Sequence, residues 1–227
     1  MSTLYIANKN YSSWSLRAWL AMRELGIAFE EKLVPFSEGS NLDNFKPFAP
    51  HAKVPCLHDG KEVVWDSLAI IEYLAERHAG VWPADAGART WARCASAEMH
   101  SGFSALRDIC SMNCGIRVQL HEVPPALQSN IARIDELWSE GLARFGGPFL
   151  AGAQFTAVDA MFAPVALRAQ TYSLALSEKA GAYAQRLRDL AAMREWYAAA
   201  LQETWREPGH EAEARAAGTW LKDLRAV

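Results

Sequence analysis

Long apolar runs, clustered cysteines and concentrated positive charge are all missing from this 227-residue chain, and each absence removes a class of explanation. No stretch approaches the ~18 consecutive apolar residues of a membrane span, and residues 1–20 lack the cationic start and unbroken apolar core of a secretory leader. A cytoplasmic protein without membrane contact is expected. No polybasic segment occurs and the formal net charge is −3, the wrong sign for a surface that tracks a phosphate backbone, so nucleic acid is not an expected partner. The four cysteines, Cys56, Cys94, Cys110 and Cys114, form no CxxC and no paired clusters at zinc spacing, so no metal is expected. Cys110 and Cys114 stand four apart in a stretch read as helical, which puts them on one face as two small buried side chains. Internal repeats and low-complexity tracts are also lacking.

What is present is the composition of a compact protein, 51% hydrophobic and 22% charged. A chain of this mass buries roughly 70% of its unfolded surface, enough for an ordinary core without disulfide or metal. Residues 3–7 are β-prone, and residues 14–25 read as a helix closed by Gly26, glycine being favoured just past a last helical turn. A second β-prone run covers residues 29–34. Val54, Cys56 and Leu57 precede an Asp59-Gly60 turn and a further apolar run at residues 62–65, a hairpin signal. Leu68, Ile71 and Leu74 follow Ser67 at helical spacing. The order is β-α-β-(α)-β-β-α, with the last two strands antiparallel.

Beyond residue 80 the texture changes. Residues 78–87 carry Gly, Pro and Asp as a linker, after which strand signals vanish and helical periodicity persists. Ile131, Ile134, Leu137, Trp138 and Leu142 trace one stripe, and Val158, Phe162, Val165 and Ala169 another, with Pro164 expected to disturb that helix. The expectation is a mixed α/β domain over residues 1–80 and an all-α domain of five or so helices over residues 88–227. A final helix is expected around residues 219–224.

That element order, with a proline opening the third strand, is the thioredoxin-like arrangement, and with a helical domain behind it the chain resembles the cytosolic glutathione S-transferase superfamily. Four signatures carry the resemblance: Tyr11-Ser12-Ser13-Trp14-Ser15-Leu16-Arg17, Lys53-Val54-Pro55-Cys56-Leu57, Asp66-Ser67-Leu68-Ala69-Ile70-Ile71-Glu72-Tyr73-Leu74, and Phe155-Thr156-Ala157-Val158-Asp159. The first and third look most like the zeta-like and related bacterial branches, whose turn carries consecutive serines.

The resemblance implies glutathione as co-substrate, and the chemistry of its thiol sets what the protein must supply. A cysteine thiol with a pKa near 8.5 is only a few per cent thiolate at pH 7, and lowering that by about two units takes roughly 2.7 kcal/mol. A serine hydroxyl is too weak a base to remove the proton, but it can donate a hydrogen bond to the sulfur anion beside the positive end of a helix. Ser12 and Ser13 stand where the first strand gives way to the first helix; Ser12, Ser13 and Ser15 can also serve simply as helix caps. Tyr5 and Tyr11 offer a phenol as the alternative donor, as in tyrosine-type transferases.

Val54-Pro55 resembles the family's cis-proline, which implies that Val54 offers its backbone N–H and C=O to the cysteinyl backbone of the tripeptide. Lys53 is placed to reach the glycyl or cysteinyl portion. Ser67, as cap of the third helix, would take the γ-glutamyl carboxylate, and Asp66 the ammonium group. Thr156 and Asp159 read as a reciprocal helix cap, a folding feature rather than a site. A second substrate would lie between the domains against Trp14, His100, Phe103 and Arg107, the last three sharing a helical face with Glu98 nearby. Zeta-type isomerases carry an arginine farther along the Thr156 helix to hold a dicarboxylate; here that position holds Thr171, with Arg168 about one turn earlier.

The expected activity is conjugation of the glutathione thiolate to a small electrophile. The alternatives are a glutathione-dependent cis–trans isomerase of the maleylacetoacetate or maleylpyruvate type and a non-catalytic glutathione-binding protein. The resemblance also implies a two-fold homodimer.

Overall fold

The computed structural model describes residues 1–225. A four-stranded sheet in the order β2-β1-β3-β4 is built from β1 (Ser2–Ile6), β2 (Phe29–Leu33), β3 (Cys56–Asp59) and β4 (Glu62–Trp65). β1 and β2 run parallel, so a crossover is required, and α1 (Ser13–Glu24) supplies it. It ends as read from the sequence: Gly26 takes φ +67°, and Ile27 N–H returns to Met22 O at 2.9 Å. β3 is antiparallel to both β1 and β4, with Gly60 (φ +61°) in the hairpin turn. After the short α2 (Leu42–Phe45), α3 (Ser67–Ala75) completes the thioredoxin-like order. Leu4, Ile6 and Leu57 of the sheet are buried in one core with Leu16 and Leu20 of α1 and Ile70, Ile71 and Leu74 of α3.

The remainder is helical: α4 (Ala86–Ser101), α5 (Ser104–Ile109), α6 (Pro125–Arg144), α7 (Ala157–Tyr172), α8 (Glu178–Asp189), α9 (Ala191–Gln202) and α10 (Pro208–Ala217). α7 is the central one, contacting α1, α4 and α8, and carries Pro164 inside it. Its start is the expected box: Thr156 caps, and the buried Asp159 carboxylate accepts from Thr156 N, Leu150 N and Tyr183 OH. Among the described residues no helix is long and apolar enough to cross a membrane.

Two expectations are corrected. Strands do recur after residue 80: β5 (Ile116–Leu120) pairs antiparallel with β6 (Gly218–Asp223), so residues 219–224 are not a helix. The signal was available in β5, where Ile116 and Val118 point inward while Gln119 is exposed. Gly218 makes the close pairing possible, because a Cβ there would lie 2.1 Å from Gln119 O.

Cys110 and Cys114 do not share a helix face, since α5 stops at Ile109. Both are buried as expected, and burial pushes each thiol up to about 12. Side chains of α7 replace the helix ladder in this irregular segment. Arg168 Nε donates to Cys110 O (2.7 Å), Tyr172 OH to Ser111 O (2.8 Å) and Thr171 Oγ1 to Asn113 O (2.8 Å).

Candidate active site

The chain between β1 and α1 runs through the interior, so its backbone groups need partners. Tyr11 and Ser12 donate to Asn8 O at 3.1 and 2.8 Å. Lys9 and Asn10 N–H fall on the two oxygens of Glu203 (2.6 and 3.1 Å), while Lys9 O accepts from Trp196 Nε1 at 2.9 Å. The far end of the chain thus grips this loop and fixes where the serines that follow it stand.

Ser12 occupies the N-cap position of α1, yet its side chain caps nothing. Its hydroxyl lies 2.7 Å from Ser15 Oγ, which also accepts Ala7 N–H at 3.3 Å. Ser13 Oγ receives Arg168 Nη2 at 3.5 Å. Ser12, Ser13 and Trp14 form one wall of a cleft of about 300 Å³; Lys53 and Val54 form a second, Arg107 and Arg168 a third, and His210 and Glu213 of α10 close it. Ser15 is fully buried and does not reach the cleft.

The Val54–Pro55 bond is cis. Val54 N–H and C=O take no hydrogen-bond partner among the described residues, and Val54 lines the cleft. Lys53 is exposed at the rim.

Asp66 takes the helix-capping role expected of Ser67. Asp66, not Ser67, caps α3, accepting from Leu68 N at 2.8 Å and Ala69 N at 3.4 Å. The reason is backbone geometry: Asp66 takes φ +75°, which turns its short carboxylate onto the first helical N–H groups. A non-glycine residue there stores about 1–3 kcal/mol of strain. Ser67 is the first helical residue, buried, and its Oγ has no partner. Neither lines the cleft; they connect to it through His100, whose Nε2 lies 3.3 Å from Asp66 Oδ2 and whose ring meets Trp14 edge-on at 5.2 Å.

His100, Phe103 and Arg107 do not share a helical face, because Gly102 and the left-handed Phe103 (φ +59°) separate α4 from α5. Only Arg107 of the three lines the cleft; Phe103 is buried in the core. The Arg107 guanidinium ties off the end of α4 by donating to Met99 O, Gly102 O and His100 O. It also lies 5.2 Å from the centre of the Trp14 ring, which Arg17 approaches to 4.2 Å. Burial lowers the His100 pKa against the pull of Asp66, with Arg17 and Arg107 adding to the lowering.

The electrostatics are cationic. Arg17 is only 1% exposed, and its Nε and Nη1 have no partner. Burial, then repulsion from Arg107 and Arg168, drives its pKa well down, with Asp66 opposing. Burial likewise lowers Arg168 to about 10. Both phenols are engaged by other partners: Tyr5, away from the cleft, stacks on Phe48 at 4.3 Å. Tyr11 reaches the cleft wall, but its OH donates to Glu211 at 2.7 Å, and burial with that bond drives its pKa up.

Sequence reasoning missed His210, Glu213 and Phe36 in this cleft. The start of α10 was legible in Glu207-Pro208, an acceptor followed by a first-turn proline. Its return to the site, 200 residues from Tyr11, carried no local signal.

Residues 11–77 match the family model described as Glutathione S-transferase, N-terminal domain, and residues 117–199 the one described as Glutathione S-transferase, C-terminal domain. A probable maleylacetoacetate isomerase of Caenorhabditis elegans is 34% identical over a stretch covering 47% of this chain and 50% of that protein. A zeta class glutathione S-transferase of Euphorbia esula is 27% identical over 67% of this chain and 70% of that protein. The fold is shared with the crystal structure of a glutathione transferase homolog from Burkholderia with bound glutathione: TM-score 0.66, 21% identity, covering 88% of this chain and 97% of that one.

Proposed function

We propose that this chain, which belongs to the cytosolic glutathione S-transferase superfamily, is a serine-type transferase that adds the glutathione thiolate to small electrophiles. The observation carrying this reading is the meeting of Ser12, Ser13 and the unpaired Val54 backbone around one cleft at the start of α1. The Val54 N–H and C=O would pair with the cysteinyl backbone of the tripeptide, which sets its sulfur against the serines. Rotation of two hydroxyls lets Ser15 donate to Ser12 and frees the Ser12 proton for the sulfur. A charge-assisted hydrogen bond contributes about 1.5–3 kcal/mol and a helix N-terminus about 0.3–1 kcal/mol, together of the size a two-unit drop in thiol pKa requires. Arg168, donating to Ser13, adds positive potential.

The γ-glutamyl end would reach Ser67, whose buried Oγ lacks a partner, and Asp66, whose second oxygen now faces His100. The acceptor would lie against Trp14 and Arg107. The test is spectroscopic titration of bound glutathione: a thiol pKa equal to that of the free tripeptide ends the serine model.

A second reading is favoured by one feature. Thr171, at the position where isomerases of the zeta type hold arginine, is turned onto Asn113 O, but Arg168 one turn earlier lines the cleft together with Arg107. Two cations on the acceptor side suit a dicarboxylate, so a glutathione-dependent cis–trans isomerase is the alternative. Parallel assays with a chromogenic electrophile and a dienoic diacid separate the two. Membership of the superfamily also suggests a two-fold dimer, and Trp65, 45% exposed on the outer strand β4, offers apolar surface for it; sedimentation tests this.

A further inference from the structure

The serine model leaves one atom unaccounted for, the thiol proton. A hydroxyl stabilises the sulfur anion but cannot hold the proton that leaves it. The cleft lining holds one imidazole, and it is anchored. His210, in the first turn of α10, lines the cleft wall with Ser12 and Ser13. Its ring centroid lies 5.1 Å from that of Tyr11, the residue next to Ser12, and 5.4 Å from that of Phe36, with both interplanar angles 33°. Glu207 Oε2 holds it twice, 2.7 Å from the His210 N–H and 2.6 Å from Nδ1.

That second bond decides the chemistry. With Nδ1–H donated to Glu207, the neutral imidazole carries its lone pair on Nε2. Nε2 has no hydrogen bond among the described residues. Burial pushes the Glu207 carboxyl up, but the two bonds from His210, the Gly209 N–H and the His210 charge together leave it below its ordinary value. A carboxylate fixed behind an imidazole stabilises the imidazolium once a proton arrives.

We propose that His210, oriented by Glu207, is the proton acceptor for the glutathione thiol in this cleft. The proposal rests on the glutathione reading above. The S–H bond breaks, its electron pair stays on sulfur, and the proton moves to Nε2. The thiolate then forms the S–C bond with the electrophilic carbon. In addition across an activated double bond, the displaced pair becomes an enolate-type carbanion that takes the proton back from Nε2, resetting the imidazole. Among the described residues the groups facing His210 are Tyr11 from the β1–α1 loop, Glu207 at the N-cap of its helix, Glu213 within that helix, and Lys53, Arg107 and Arg168 across the cleft. The three cations oppose the imidazolium and Glu207 offsets them, so Glu207 is a positioning residue with an electrostatic share.

The experiment compares wild type, His210→Gln, His210→Ala and Glu207→Gln in steady-state conjugation to an activated alkene, with glutathione affinity measured separately by calorimetry. The expected result is a drop in kcat of about 100-fold for His210→Gln, glutathione affinity within about twofold, and loss of the acidic limb of the kcat–pH profile. Added imidazole is expected to restore part of the His210→Ala rate, which a merely structural role would not allow. Glu207→Gln is expected to keep the acidic limb but displace it to lower pH. Unchanged kcat and profile in His210→Gln, or a rate loss matched by an equal loss of glutathione affinity without imidazole rescue, overturns the proposal while leaving the transferase reading intact. Wild-type protein that fails to bind glutathione at all overturns both.

Discussion

Ser12 and Ser15 share a hydroxyl–hydroxyl hydrogen bond of 2.7 Å across the first turn of α1, and Ser15 at the same time accepts the N–H of Ala7 at the end of β1. The buried serine thus fixes the rotamer of the one at the cleft. Removing either hydroxyl should be felt at the sulfur, but differently. Ser12→Ala is expected to raise the pKa of bound glutathione by about one unit, or 1.4 kcal/mol. Ser15→Ala is expected to raise it less and to lower stability by about 1–3 kcal/mol, because it orphans a buried N–H. Ultraviolet titration of the complex and urea unfolding check the two halves.

Ser67 presents the opposite balance. Its buried hydroxyl has no partner in the free protein, so Ser67→Ala should leave unfolding midpoints unchanged or slightly raised. If the hydroxyl meets the γ-glutamyl carboxylate, the same substitution weakens glutathione about tenfold, or 1.4 kcal/mol. Calorimetric titration with glutathione beside thermal unfolding decides it; a stability loss with unchanged affinity would count against the assignment.

Tyr11 separates the serine and phenol models. Its hydroxyl is held by Glu211 at 2.7 Å and by Arg225 Nη1 at 3.2 Å. Tyr11→Phe is therefore expected to cost about 1 kcal/mol of stability or more while leaving the pKa of the bound thiol unchanged. A thiol that becomes as weakly acidic as free glutathione in this variant would move the role from serine to tyrosine.

Asp159 gives a pH dependence whose sign is unusual for a carboxylate. Burial raises it from 3.8 to about 6, against the hydrogen bonds from Leu150, Tyr183 and Thr156 that pull it down. The folded state then binds the proton more tightly than the unfolded chain, so this group's contribution is fully present below about pH 4 and declines as pH rises through 6. Urea unfolding of wild type and Asp159→Ala between pH 4.5 and 7 should show the stability gap between them widening toward low pH. Thr156→Ala, which removes one capping bond, is expected to cost about 1 kcal/mol without altering glutathione affinity.

Much of the first 75 residues was readable because their signals are local. A glycine after a helix, an Asp-Gly turn and apolar residues at helical spacing each act within a few positions, and together they order the thioredoxin-like half. The capping box at Thr156 and Asp159 was readable for the same reason. The Cys110–Cys114 segment misled because its spacing suits a helix, whereas its carbonyls are satisfied by Arg168, Thr171 and Tyr172 of a distant helix. Nothing in a local window records such partners.

The residues proposed to handle a thiol, Ser12, Ser13 and Val54, were legible in the sequence by itself, since turn and cap chemistry acts over short range. What only the tertiary structure decided is the company they keep. Arg168 arrives at Ser13 from 155 positions away, Glu203 grips the loop before it, and α10 brings His210 to the cleft. Those placements follow from packing α7 in the core and pairing β6 with β5, and burial, which acts through the assembled interior rather than along the chain, is what lowers the pKa of Arg17, Arg107 and Arg168.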